Sequence, residues 1–272
     1  MTATLDATAA TPAPPRRRVD WGKWFTRAVI GWLFTPIVFM IAFSFNDIQG
    51  RQNVVWEGFT LKWYGRVFDY ADLTQALLYT LAIAVLTMLI AGTIGSLLGL
   101  ALGRHRFRGQ GTTNLVMFAA ICAPEVVMGA ALLSLFLVLG ISTGFAAILI
   151  AHVMFTVSFV AITVRARVIT LDANLEEAAR DLGAGAWTTF RLVTLPMLMP
   201  AIMAGGLLAF ALSIDDYIIT SFVAGQVTTF PLWVWGATRI GIPPQVNVMG
   251  TLIFAVGVTL AIVNVIVAKR RR

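Results

Sequence analysis

The sequence predicts an all-α, polytopic membrane protein with six transmembrane helices, and three observations carry that reading. Of the 272 residues 58% are hydrophobic and 12% are charged, and the mean hydropathy is +0.84. Soluble domains hold roughly 45–50% apolar and about 25% charged residues, so a soluble core of this length cannot enclose so much apolar surface. The apolar residues also gather into runs able to cross about 30 Å of hydrocarbon. Finally, the cations are confined to alternate connections between those runs, as a membrane topology requires.

Residues 1–15 are rich in Ala, Thr and Pro and have little to bury, so they read as disordered. With Arg16, Arg17, Arg18, Lys23 and Arg27 they form a basic arm over 1–27. An apolar run follows from Ala28 to Phe45 and includes Pro36. A basic stretch before an apolar run also opens secretory signals. This run is of spanning length and ends in Phe-Ser-Phe-Asn without a small-residue cleavage site, so an uncleaved first span is the reading. Asp47 to Asp72 is polar and aromatic, with Trp56, Trp63, Tyr64 and Tyr70 suited to a membrane–water interface. Four further spans read as Leu73–Gly103, Asn114–Leu139, Phe145–Val164 and Pro196–Val223, and Val246–Ala268 makes the sixth. The whole spanning region is 28–268, and a basic tail occupies 269–272. Gly95, Gly99 and Gly103 stand at four-residue intervals, the spacing that lets two helix backbones approach closely.

Charge sets the orientation. The amino-terminal arm, the 103–113 and 165–195 connections and the tail hold 16 of the 20 Lys and Arg residues, while the other side has Arg51, Lys62, Arg66 and Arg239. Positive residues stay in the cytoplasm, so both termini are expected there. The formal net charge of +7 is thus a topology signal, reinforced by anionic headgroups of the lipid bilayer, and no nucleic-acid partner is expected. The single cysteine, Cys122, lies in an apolar run and reads as a small buried hydrophobe, with no disulfide framework or metal cluster implied.

One cytoplasmic stretch is amphipathic. Within the elbow 172–195, Glu176, Glu177, Arg180, Asp181 and Arg191 alternate with Ala178, Ala179, Leu182, Trp187 and Phe190. The spacing predicts a short helix broken at Gly183-Ala184-Gly185 and restarted before Pro196, which would begin the next span where its missing N–H costs nothing. A helix resting on headgroups has this pattern too. The order Glu177-Ala178-Ala179, Gly183, Val193, Leu195-Pro196 is narrower, and it resembles the EAA signature of importer-type ABC permeases. Val193 stands where that family usually has Ile. The resemblance implies a type I ABC importer permease fold in which the elbow is the EAA coupling helix. Glu177, Ala178, Ala179, Asp181, Gly183, Leu195 and Pro196 would then contact a separate ATPase, with Glu177 paired to a basic residue of that subunit. The chain has no Gly-x-x-x-x-Gly-Lys-Ser/Thr phosphate loop. It is therefore not expected to be an enzyme or to carry a cofactor, and ATP and Mg would be used by a partner ATPase dimer.

Three acids stand in apolar runs: Glu125 after Pro124, and Asp215-Asp216 in the fifth span. A charge at the bilayer centre costs at least about 2.5–3.5 kcal/mol on insertion scales. Such acids can cap broken helices or bond to nearby Ser213 and Tyr217. They can also form an acidic route for a cation, reinforced by the aromatic rings of Tyr217, Phe222, Trp233 and Trp235. His152 reads as a hydrogen-bonded packing residue, because no acid sits a helical turn away. Arg104-His105-Arg106 reads as a headgroup contact.

Phe43-Ser44-Phe45-Asn46, Gly58 to Tyr64, Pro124-Glu125, Ser213 to Asp216 and Arg239 to Asn247 resemble the spermidine/putrescine branch of those permeases, covering the chain from about Val29 to Val267. That branch commonly has Asn-Ser/Thr-Leu where Tyr79-Thr80-Leu81 stands here. The resemblance implies polyamine import through a path that includes Glu125, Asp215, Asp216, Tyr217, Trp233 and Trp235, with the Phe230–Pro244 loop at the outer gate. The implied partners are a second permease subunit of the same type, the ATPase dimer and an extracytoplasmic solute-binding protein. Another solute (a thiamine-like cation, iron, sulfate or molybdate) and a stand-alone channel or secondary transporter are the alternative readings.

Overall fold

The computed structural model describes residues 21–50, 52–172 and 174–270. The first 20 residues of the basic arm and the last two of the tail lie outside the described residues. The described part of the arm is already helical. α1 runs Trp21–Phe43 and carries Lys23 and Arg27 within it, so the arm's expected boundary at residue 27 falls inside the helix. α1 buries no residue and packs on the last helix of the chain, leaving Trp21, Trp24, Phe25 and Trp32 exposed. A short turn of helix, α2 (Lys62–Gly65), precedes α3 (Ala71–Arg104). Among the described residues the one β pairing is an isolated antiparallel bridge between Asn46 and Phe59.

α3 has 34 residues, about 50 Å at 1.5 Å per residue. It is therefore longer than a hydrocarbon layer is thick, and its end reaches the elbow. It packs against α6 (Phe145–Val168) and α9 (Leu195–Ile214), and these three helices form the centre of the bundle. Glycine sets how closely they pack. A Cβ at Gly95 would lie 2.6 Å from Val160 Cβ, one at Gly99 would lie 2.6 Å from the Ala161 carbonyl oxygen, and one at Gly103 would lie 2.6 Å from Val168 Cγ1. The three small residues singled out in the sequence therefore all face α6.

The expected third span is bent. α4 (Gln110–Cys122) and α5 (Glu125–Val138) meet at 113° across Ala123-Pro124. Pro124 supplies no N–H and pushes Ala123 out of helical geometry, to φ −67°, ψ 134°. A single run of apolar residues thus hides a corner. Cys122, at this corner, is exposed and not buried as expected.

The elbow is α7 (Asn174–Asp181), closed by Gly183 at φ +85°, with the Ala184 N–H bonded to the Ala179 carbonyl. This is a left-handed glycine stop that a Cβ would strain. The helix resumes as α8 (Ala186–Thr189) and a π-helical turn over Phe190–Thr194, and it continues without a break to Ile214. Pro196 therefore does not start the span. It sits inside a helix, directly after a turn whose closing bond runs from the Leu195 N–H to the Phe190 carbonyl. The wider turn takes up the bond and the space that proline would otherwise disrupt.

The fifth expected span both starts and ends earlier than predicted. α9 stops at Ile214, the chain unwinds at Asp215–Tyr217, and α10 (Ile218–Val223) follows. α11 (Phe230–Ala237) and α12 (Pro244–Arg270) complete the chain. Among the described residues four helices are long and apolar enough to cross a membrane, or five if the bent pair counts as one span. The sixth expected span falls in α12, whose apolar stretch Pro244–Thr259 is shorter.

Gly99 meets backbone, which cannot step aside, whereas a Cβ at Gly31 meets nothing within 4 Å. Gly99→Ala is expected to lower stability by about 1–3 kcal/mol, as overpacking does. Gly31→Ala should be neutral. Thermal unfolding of the detergent-solubilised protein checks both.

Candidate functional site

Loss of helix at Asp215–Tyr217 frees backbone groups deep in the bundle, and the side chains there divide between two sides. Asp215 and Tyr217 line a cavity of about 620 Å³ shared with Phe230, Val234 and Trp235 of α11 and with Phe254 of α12. Asp215 is exposed. The rings of Tyr217 and Trp235 lie 5.2 Å apart, tilted by 43°. The cavity therefore combines one carboxylate with aromatic walls, a setting that favours an organic cation over an anion. A second cleft, of about 320 Å³, lies between α3 and α9 and has no charged residue in its lining.

Asp216 turns the other way. Its side chain is 5% exposed and its Oδ2 lies 3.2 Å from His152 Nε2. The same oxygen accepts the Thr220 N–H at 2.8 Å and the Thr220 hydroxyl at 2.7 Å. His152 Nε2 also lies 2.9 Å from Thr220 Oγ1, and its Nδ1 lies 2.7 Å from Ser213 Oγ. The acid that His152 lacks within its own helix thus comes from the unwound turn between α9 and α10. Sequence reasoning missed this pair. The available signal was that a solitary His and an extra Asp, both in apolar runs, each need a polar partner.

The remaining expected path residues are scattered. Glu125 is the exposed first residue of α5, where an acid complements the helix dipole, and it does not line the cavity. Trp233 packs against the cluster of Val67, Leu73 and Val246 and does not line the cavity either. Phe222 fills the space over Gly129, where a Cβ would lie 2.6 Å from its ring. Tyr79, in the place of the branch's Asn, bonds to Gln75 and packs near Phe145. Among the described residues no group of His, Cys, Asp and Glu is placed to hold a metal ion.

At the elbow end, α7 shows Glu177, Ala178 and Asp181 to the outside, as well as Gly183 beyond it. Leu182 is 90% exposed and Trp187 is 70% exposed among the described residues, which is a patch of open apolar surface. Ala179 and Leu195 are half-buried and Pro196 is exposed. Glu176 faces inward instead. It pairs with Arg104 at the end of α3 at 3.1 Å and accepts the Thr194 hydroxyl of the π turn at 3.0 Å. Arg104 also donates to the Leu171 carbonyl at 3.5 Å, so it is an internal strut and not the headgroup contact expected of it. His105 and Arg106 are exposed.

Comparison with known proteins gives a consistent picture. Residues 95–272 match the family described as binding-protein-dependent transport system inner membrane component. The spermidine/putrescine transport system permease protein PotC of Escherichia coli (strain K12) is 37% identical over 246 residues, covering 90% of this chain and 92% of that one. The putrescine transport system permease protein PotI of the same strain is 38% identical over 235 residues, 83% of each chain. Among solved structures, a bacterial ABC transporter involved in import of the acidic polysaccharide alginate matches with a TM-score of 0.63 at 20% identity, covering 94% of this chain and 99% of that one. The MetNI methionine ABC transporter matches with a TM-score of 0.58 at 18% identity, covering 69% and 90%. At such identities the structures bear on fold alone, and that fold is the type I ABC importer permease.

Proposed function

We propose that this chain, which belongs to the family of binding-protein-dependent transport system inner membrane components, is a permease subunit of an ATP-driven importer and forms part of a path for polyamines such as spermidine and putrescine. The observation that carries the substrate class is the cavity at the break after α9. There Asp215 stands beside the Tyr217–Trp235 ring pair. A primary ammonium needs an anion and tolerates aromatic faces, and its methylene spacers need apolar walls. The polyamine relatives point to the same class of cargo.

Power comes from outside the chain in this reading. Two copies of an ATPase bind ATP and Mg, close on each other, and press on the elbow. Glu177 and the exposed Leu182 and Trp187 offer that contact. Glu176 ties α7 to Arg104 of α3 and to Thr194 below α9. One helix, Ala186–Ile214, then joins the elbow directly to the turn that holds Asp215. Its 29 residues span about 43 Å at 1.5 Å each. A push at the elbow thus reaches the cavity along a single rigid element, with the π turn and Pro196 at its foot as the place where it bends.

A second permease subunit completes the path, and an extracytoplasmic binding protein delivers cargo near the Phe230–Pro244 loop. We place both termini in the cytoplasm of a bacterial inner membrane, with α12 as the sixth span. The alternate confinement of Lys and Arg supports this orientation.

Asp215→Asn should lower spermidine uptake by the reconstituted complex about tenfold or more, the worth of one lost charged contact. The complex should still assemble. Unchanged uptake contradicts the acidic path, and selective delivery of sulfate or molybdate by the binding protein removes the polyamine reading. At the elbow, Glu177→Ala, or Gly183→Leu against its positive φ, should leave ATP hydrolysis uncoupled from uptake or prevent ATPase binding. Normal coupling in both variants counts against the motor contact.

A further inference from the structure

His152 touches both sides of the broken helix. Its Nδ1 reaches Ser213 in the last turn of α9, and its Nε2 reaches Thr220 and Asp216, which fix the start of α10. The interruption between them is therefore bridged by one side chain from α6. Hydrogen accounting at this cluster is informative. The Thr220 hydroxyl gives its single hydrogen to Asp216 Oδ2, so it meets Nε2 with a lone pair. The Ser213 hydroxyl lies 2.7 Å from Nδ1 and 3.5 Å from Thr87 Oγ1, and it can either give Nδ1 a hydrogen or accept one from it. Nε2 meets only acceptors, so it carries a hydrogen and turns it towards the carboxylate. Both side chains are nearly enclosed, at 3% and 5% exposure. In such a place an unpaired carboxylate is costly, and a hydrogen-bonded pair offsets that cost.

We infer that His152 and Asp216 form an internal ion pair that staples the unwound turn and cancels one of its two adjacent charges, so that Asp215 alone presents a carboxylate to the cavity. His152 is thus a positioning residue for the transported cation. It fixes which acid of the Asp-Asp pair faces the cargo and how much negative charge the cavity shows. This inference rests on the reading of the cavity as the path.

The test reads the electrostatic potential of the cavity without needing any cargo. Thr238, which lines the cavity just past α11, is replaced by Cys in a chain that also carries Cys122→Ser. The full complex, with cysteine-free partner subunits, is placed in lipid vesicles. The rate of modification by a positively charged methanethiosulfonate is divided by the rate with a neutral one of similar size, because a local field enriches only the cation. His152→Gln should raise this ratio about two- to fivefold as Asp216 loses its counter-ion, and Asp216→Asn should lower it by a similar factor as the imidazolium is left behind. The double variant should return to within about twofold of the parent. A merely structural role would not shift the two single variants in opposite directions. Shifts of the same sign, or an unmoved ratio in both, overturn the ion pair. Should either single variant fail to assemble, the doubly neutral one decides: it must assemble and show the parent ratio, and failure on either count overturns the inference. If the wild-type complex takes up no spermidine, the polyamine reading falls, and the ratio still judges the ion pair.

Discussion

A carboxylate in so apolar a stretch needs polar or charged company, and this chain sets two such carboxylates side by side. The helix that rises from the elbow stops at Ile214, and the freed turn sends Asp215 towards a cavity and Asp216 towards His152. Insertion of even one such charge costs on the order of 3 kcal/mol. The expense is reasonable only where a positive charge visits, or where one is built in. On the proposed reading the two acids are these two cases side by side.

Holding that turn depends on helices that cannot drift apart. The glycine stripe on α3 brings the α6 backbone close, and Gly205 opens a similar approach between α9 and Val160 of α6, the two helices that the His152–Ser213 contact also joins. Small residues drive close packing where lipid supplies no hydrophobic incentive for helices to associate. Packing in the middle of the bundle and electrostatics at the turn are therefore one design. At the elbow end the same helices are joined differently, by the Arg104–Glu176 pair and the Thr194 hydroxyl. Those bonds make the elbow part of the bundle, while Glu177, Leu182 and Trp187 on its outer face are exposed among the described residues. In the proposed function these are two contacts, one for a motor and one for a cargo, joined by a single helix.

What the sequence made legible was local. The elbow was readable because Glu177, Gly183 and Leu195-Pro196 stand at fixed intervals within one short segment, and the glycine does adopt the left-handed turn its position implied. The close face of α3 was readable from a four-residue spacing. Three features were not. Hydropathy averages over a window, so it joined α4 to α5 across Pro124 and α9 to α10 across Asp215–Tyr217, though a proline marked the first break and two acids the second. Pro196 was misplaced because a π turn, which leaves no compositional trace, lets proline sit inside a helix. The His152–Asp216 pair and the Arg104–Glu176 strut join residues far apart in the chain, and no periodicity reports which helices become neighbours.

The central claim is that the cargo's ammonium groups meet Asp215 between two aromatic rings while Asp216 stays with His152. The most direct measurement is a cryo-electron microscopy structure of the whole complex, in lipid, trapped with spermidine in transit. The account predicts ligand density within hydrogen-bonding distance of the Asp215 carboxylate, between Tyr217 and Trp235, with the His152–Asp216 contact intact. Density bound to Asp216 with that contact opened, or ligand seated elsewhere with Asp215 turned away from it, would contradict it.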